Sequence, residues 1–138
     1  MIINETIVLQ TDGRGDTRDI TPQLIQIVAD SNLKDGIVTI FVTGSTAGVA
    51  AIEFEPNLIT DFKELWEKIA SSNKAYHHDE AWGDANGYAH LRASLLGPSL
   101  VVPFADSKMV LGTWQQIVVV DFDNRTRERR IAVQVMGT

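Results

Sequence analysis

The sequence predicts an α+β protein, mostly an antiparallel β-sandwich or barrel-like sheet of seven or eight strands with two or three helices. Three observations carry that prediction. Apolar residues alternate or cluster in short runs along most of the chain, the helical stretches are too few to serve a parallel sheet, and the links between runs are short and turn-rich. With 138 residues, 44% hydrophobic and 22% charged, the chain is the size of one domain, residues 1–138, and long enough to bury a core.

In chain order, Ile3 to Thr11 alternates as a first strand, and the link TDGRGDTRD is rich in turn residues with room for a short second strand. Thr21 is placed to cap a helix, with Pro22 at its first position and an apolar stripe of Leu24, Ile25, Ile27 and Val28 that stops at Ser31-Asn32. Gly36 to Val42 is a β-branched strand running into the small-residue loop Thr43-Gly44-Ser45-Thr46-Ala47-Gly48. Such a loop either binds an oxyanion or simply turns the chain. Val49 to Phe54 reads as the returning strand, with Glu53 and Glu55 at its end on one side, suited to metal or base duty or to plain solvation.

A second helix opens at Pro56 or Asn57, where Leu58, Phe62, Leu65 and Ile69 keep helical spacing and Trp66 lies at the edge. Gly97 is a natural helix stop, Ser99 to Phe104 a strand, and Met109 to Leu111 its short return. Trp114 to Phe122 is the strongest strand, its Ile117-Val118-Val119-Val120 run predicting burial on both faces. Asp123-Asn124 turns the chain into a last strand, Arg129 to Met136. Between them Arg125, Arg127, Arg129 and Arg130 concentrate positive charge, as a phosphate site or as a hairpin flank paired with nearby acids.

The stretch from His77 to Gly97, HHDEAWGDANGYAHLRASLLG, holds all three histidines together with Asp79, Glu80 and Asp84. If its helix begins near Asn86, then Asn86, His90 and Ser94 project from one face. A helix that only needed burial would place leucines there. Trp82 and Trp114 either wall a pocket or fill core, with Trp114 read as core.

A net charge of -6 and a pI near 4.9 exclude any overall attraction to nucleic acid or anionic lipid, so an anion must be held by a local cluster. The absence of cysteine removes disulfides, thiolate nucleophiles and Cys-type zinc sites. There is no basic leader followed by a long apolar run and no stretch of 18 apolar residues, so the expectation is a cytoplasmic protein with no membrane partner.

Tyr76-x-His78, Asn86-x3-His90, the run His90 to Ser99, the block Leu111-Gly112-Thr113-Trp114-Gln115-Gln116 and the arginine cluster, in this order and spacing, resemble the YjbQ family, also known as secondary thiamine-phosphate synthase. The likeness spans nearly the whole chain and is strongest from Tyr76 to Gly137. At Gly44 the sequence departs from the histidine that many relatives carry. The resemblance implies a compact α+β sandwich, assembly as a homotrimer with the pocket near a subunit interface, and joining of hydroxymethylpyrimidine diphosphate to thiazole phosphate with release of pyrophosphate. In the family that is regarded as a side or backup activity. The familiar fold for this reaction is a (β/α)8 barrel of about 250 residues, so a chain of this length would have reached the activity independently.

Matched to the residues, that chemistry gives a definite set of candidates. Ser45, Thr46, Ser94, Arg127 and Arg130 are the expected phosphate-binding residues, because a departing pyrophosphate needs cations and dipoles around it. His78, His90, Asp84 and Asn86 are the expected catalytic set, and the two histidines should lie close together. His78 and His90 with Glu53 and Glu55 would hold a divalent ion, magnesium, manganese or zinc. The rival expectation is a non-catalytic trimeric module that binds a phosphorylated metabolite or a metal through the same residues.

Overall fold

The computed structural model describes all residues, 1–138. In chain order the elements are β1 (Ile2–Thr11), β2 (Asp16–Asp19), α1 (Thr21–Asp30), β3 (Gly36–Val42), β4 (Ala47–Ile52), α2 (Pro56–Ile69), α3 (His77–Trp82), α4 (Gly87–Leu96), β5 (Ser99–Ala105), β6 (Lys108–Met109), β7 (Gln116–Asp121) and β8 (Arg127–Gly137). The strands form a five-stranded sheet ordered β1-β8-β3-β5-β6 and a three-stranded sheet ordered β2-β7-β4, with every pairing antiparallel. The α+β class expected from the sequence is the class observed.

Two cores explain the layering. Strand alternation turns Ile131, Val133 and Val135 of β8 and Val38, Ile40 and Val42 of β3 inward, where they meet Ile117 and Val119 of β7 and Leu24 and Val28 of α1. The other side of β7, Val118 and Val120, followed by Phe122, packs under Trp66 of α2 and Tyr88, Ala89 and Ala93 of α4. The order is therefore large sheet, small sheet, helices. β7 is the shared middle strand, buried on both faces as its unbroken valines predict.

Four details differ from the sequence reading. There are four helices, because Tyr76 and Asp79 tie off a short α3: the Tyr76 amide donates to Asp79 Oδ2 at 2.9 Å and the Asp79 amide to the Tyr76 carbonyl at 3.0 Å. β4 does not return beside β3; it crosses to the small sheet and pairs with β7. The buried side of α2 runs through Trp66, with Leu65 and Ile69 left exposed, because the helix is rolled to place the largest ring over Phe122 at 5.0 Å. Trp114 stands exposed in the link before β7 and is not core.

Candidate functional site

The end of β7 and the start of β8 build the floor of a site out of charge. Asp121 and Asp123 point to the same side of the strand, and after the turn Arg127 and Arg129 do likewise. Arg129, only 3% exposed, donates through Nε to Asp121 Oδ2 at 2.7 Å and through Nη2 to Asp121 Oδ1 at 2.8 Å and Thr46 Oγ1 at 2.6 Å. The Thr11 hydroxyl also donates to Asp121. Asp123 accepts from Arg127 Nη1 at 2.8 Å, the Thr46 hydroxyl at 3.0 Å, Asn86 Nδ2 at 3.2 Å and the Asn124 amide at 2.8 Å. Burial pushes the Asp123 carboxyl up, but these donors outweigh it and hold the group below the usual 3.8, as an anion.

Above this floor lies a cavity of about 430 Å³ lined by polar and charged residues only. Among the expected residues it takes Ser45, Thr46, Asp84, Asn86, His90 and Arg127; Asp123, Asn124 and Arg125 join them. Asn86 precedes α4, so His90 follows one turn later on the same face. A smaller cavity of about 240 Å³ adjoins, lined by Gly44, Ala47, Ala93, Ser94 and Pro98, and Ser45 and His90 line both. The Ser94 hydroxyl itself is turned back to the Leu91 carbonyl at 2.8 Å. A Cβ at Gly44 would lie 2.8 Å from Arg129 Nη1, so a bare glycine is what fits beside the fixed guanidinium.

His78 reaches His90 because α3 lies against the start of α4. A Cβ at Gly87 would lie 2.9 Å from Tyr76 Cβ and 3.1 Å from His78 Cβ, and only a glycine allows that approach. The two rings sit 4.6 Å apart, centroid to centroid. Burial, then the neighbouring His78, lowers the His90 pKa below 6.5, against the opposing pull of Asp123, the Ser45 carbonyl and Asp84. His90 is therefore mostly neutral at pH 7. Asn86, which lines the cavity, leaves its Oδ1 buried without a partner; the expected catalytic residue His78 lines neither cavity, and its Nδ1 is likewise buried and unpartnered behind His90.

Three expected site residues lie elsewhere. Glu53 is exposed past the end of β4, and Glu55 caps α2, accepting from the Asn57 amide at 3.0 Å and the Leu58 amide at 2.7 Å. Those amides lower its pKa, the Asn57 bond first. With both carboxylates away, no three His, Asp or Glu side chains group as metal ligands, and the expected set of His78, His90, Glu53 and Glu55 is not assembled. Arg130 is on the opposite face of β8 from Arg129, near Glu128 at 3.7 Å. The sequence signal for Asp121, Asp123 and Arg129 is a pair of acids two apart before a turn and arginines two apart after it, which here face each other across the link from the small sheet to the large one.

The model of the family described as "UPF0047 protein YjbQ-like" matches residues 5–138. A UPF0047 protein of Archaeoglobus fulgidus is 38% identical over 94% of this chain and 98% of its own length. The chain belongs to the YjbQ-like UPF0047 family. A second family protein, from Methanothermobacter thermautotrophicus, is 34% identical over 99% of this chain and 93% of its own length. Among solved structures, a YbjQ-like protein of unknown function from Sulfolobus solfataricus superposes with a TM-score of 0.95 at 36% identity, covering 100% of this chain and 99% of that one. A hypothetical protein from Aeropyrum pernix gives 0.92 at 28% identity, with 99% of both chains covered. The YjbQ-like frame is thus common to these proteins.

Proposed function

We propose that the chain is a thiamine-phosphate-synthase-like transferase, taking hydroxymethylpyrimidine diphosphate and thiazole phosphate to thiamine phosphate and pyrophosphate. One observation carries the reading: Ser45 and His90 stand in the wall shared by a polar cavity and a smaller, partly apolar one. A diphosphate suits the first and a heterocycle the second. The thiazole nitrogen supplies the electron pair for the new C–N bond, the C–O bond to the diphosphate breaks, and its electrons leave with pyrophosphate. What the protein must add is stabilisation of that leaving group, from Arg125, Arg127 and the Ser45-Thr46 loop. A mostly neutral His90 has a single N–H, directed at the Ser45 carbonyl, and serves as a donor to the leaving group only by turning that N–H away from Ser45.

His78 and His90 remain the candidate ligands of a magnesium, manganese or zinc ion, with substrate oxygens or water completing the shell. No step is routed through such an ion. Assembly as a homotrimer belongs to the same reading.

A non-catalytic module that binds a phosphorylated metabolite is the second reading. Asp123 favours it, because it already engages Arg127 at 2.8 Å and reduces the charge left for a leaving pyrophosphate. Thiamine phosphate formed from the two precursors in proportion to protein, and lost in a folded His90→Ala variant, supports the enzyme. Stoichiometric binding without turnover supports the module, and neither binding nor turnover sinks both.

A further inference from the structure

On the helix side of β7, Val120 and Phe122 face a small cavity of about 110 Å³, which shares no lining residue with the His90 cavity. It lies between the β1–β2 turn, α2 and α4, and its polar lining is Arg14, Lys63, Arg92, Glu67 and the Trp66 indole. Three cations meet one acid here in a chain whose net charge is -6. Glu67 is already taken: Arg92 Nη2 pairs with it at 2.5 Å while Arg92 Nε donates to the Ala70 carbonyl at 2.9 Å. Arg14 and Lys63 are in none of the chain's ion pairs.

The second observation is a donor. Trp66 is only 6% exposed, and its Nε1–H is buried with no hydrogen-bond partner. The ring cannot turn to find one, because it is held edge-on by Phe62 at 5.8 Å and Phe122 at 5.0 Å. A fixed, unsatisfied N–H beside three cations, with Glu67 paired to Arg92 and Asp16 near Lys63, calls for an acceptor that is itself negative.

The backbone that carries Arg14 is fixed, while the Arg14 and Lys63 side chains are themselves exposed. The Arg14 amide donates to the Asp123 carbonyl at 2.6 Å and the Gly15 amide to the Asp121 carbonyl at 2.8 Å, which pins the turn to β7. The Lys63 stem packs across Gly15, its Cγ 3.4 Å from where a Cβ would be. The volume exceeds the ~30 Å³ that a water occupies in the liquid and falls well short of the ~300 Å³ at which metabolite pockets begin. One compact ion fits.

We infer that this cavity is a second anion site, taking a single compact oxyanion of phosphate, sulfate or carboxylate type against Arg14, Lys63, Arg92 and the Trp66 N–H. It is independent of the reaction proposed for the His90 cavity. The test follows the Trp66 indole N–H resonance of the intact protein during titration with inorganic phosphate, sulfate, acetate and chloride. Saturable movement of that resonance with an oxyanion and not with chloride is the expected result, phosphate and sulfate or acetate telling tetrahedral from carboxylate ligands. Arg14→Ala and Lys63→Ala should each weaken the response roughly tenfold or more, and Arg127→Ala should leave it unchanged. A resonance that no oxyanion moves means a trapped water only and overturns the proposal. So does movement that survives the Arg14→Ala, Lys63→Ala double variant, or movement lost in Arg127→Ala, which would give the anion to the His90 cavity.

Discussion

On β8, one step along the strand separates a guanidinium whose side chain is 4% exposed, Arg129, from one that is 62% exposed, Arg130. Only the face carrying Arg127 and Arg129 meets the cavity. Arg127→Ala should therefore weaken pyrophosphate binding by about 1.5–3 kcal/mol, the range for a hydrogen bond to a charged group, while Arg130→Ala leaves it unchanged by calorimetry. Equal losses would mean that diffuse charge holds the anion. The arginine cluster was visible in the sequence because strand alternation is local. Its partners were not, since Asp121 and Asp123 matter through complete burial, which is a tertiary property. His90 gives a second prediction. Its folded-state pKa is depressed below 6.5, so the unfolded chain takes up the proton first as pH falls. The stability it contributes is present above pH 6.5 and is lost as pH drops through the folded-state value. Asp123 is also lowered, but from 3.8, so its contribution is lost only in stronger acid. Between pH 7 and 5 the thermal midpoint of His90→Gln should fall less than that of the parent, and identical falls would assign the loss to other groups.

Among the elements, α3 and α4 form a unit in which each helix supplies one ring, His78 or His90, across the gap that Gly87 keeps open. A divalent ion held by both rings should raise the thermal midpoint by mass action, and a His78→Ala, His90→Ala double variant should lose that rise. An unchanged midpoint in magnesium, manganese and zinc would leave the rings to hydrogen bonding. Glu55 separates the two duties that the sequence left open for it. As the N-cap of α2, Glu55→Ala should lower the denaturant midpoint of unfolding yet leave any ion-induced rise intact. Loss of the rise with no loss of stability would return Glu55 to the metal set. Capping was hard to see beforehand because glutamate is an uncommon N-cap, and β4 stops at Ile52 sooner than its apolar run suggests. The direction in which α2 faces was equally hidden. Its spacing allowed a stripe through Leu65 and Ile69, and the choice fell to Trp66 only because Phe122 lies beneath it.

For the whole molecule, alternation and short links conveyed the class, while the partner of each strand depended on contacts distant in sequence. The β3–β4 loop reads locally as a hairpin and in fact carries the chain from one sheet to the other. That crossing brings Thr46 to Asp123 and Arg129, so the site exists because the local expectation fails. The same layering leaves one broad face without cover. The small sheet is covered by the large sheet on one side and by α2 and α4 on the other, whereas the outer face of the large sheet has nothing over it. Register aligns Ile2, Met136, Ile37 and Pro103 in a row across four strands there, and Val101 and Phe41 lie nearby, 54% and 45% exposed. An apolar row on a sheet face is costly in water and is commonly buried by association. The trimer proposed above should therefore run at three times the 15.2 kDa chain mass in light scattering. An Ile37→Glu, Val101→Glu variant should run at the single-chain mass with unchanged circular dichroism. A parent at the single-chain mass would sink the assembly, another multiple would sink the number three, and a trimer that survives both glutamates would move the interface to the edge carrying Val110 and Trp114. Pyrophosphate binding by the dissociated variant then decides whether the cavity is complete within one chain: binding equal to the parent's means that it is, and lost binding gives a neighbouring chain a part in it.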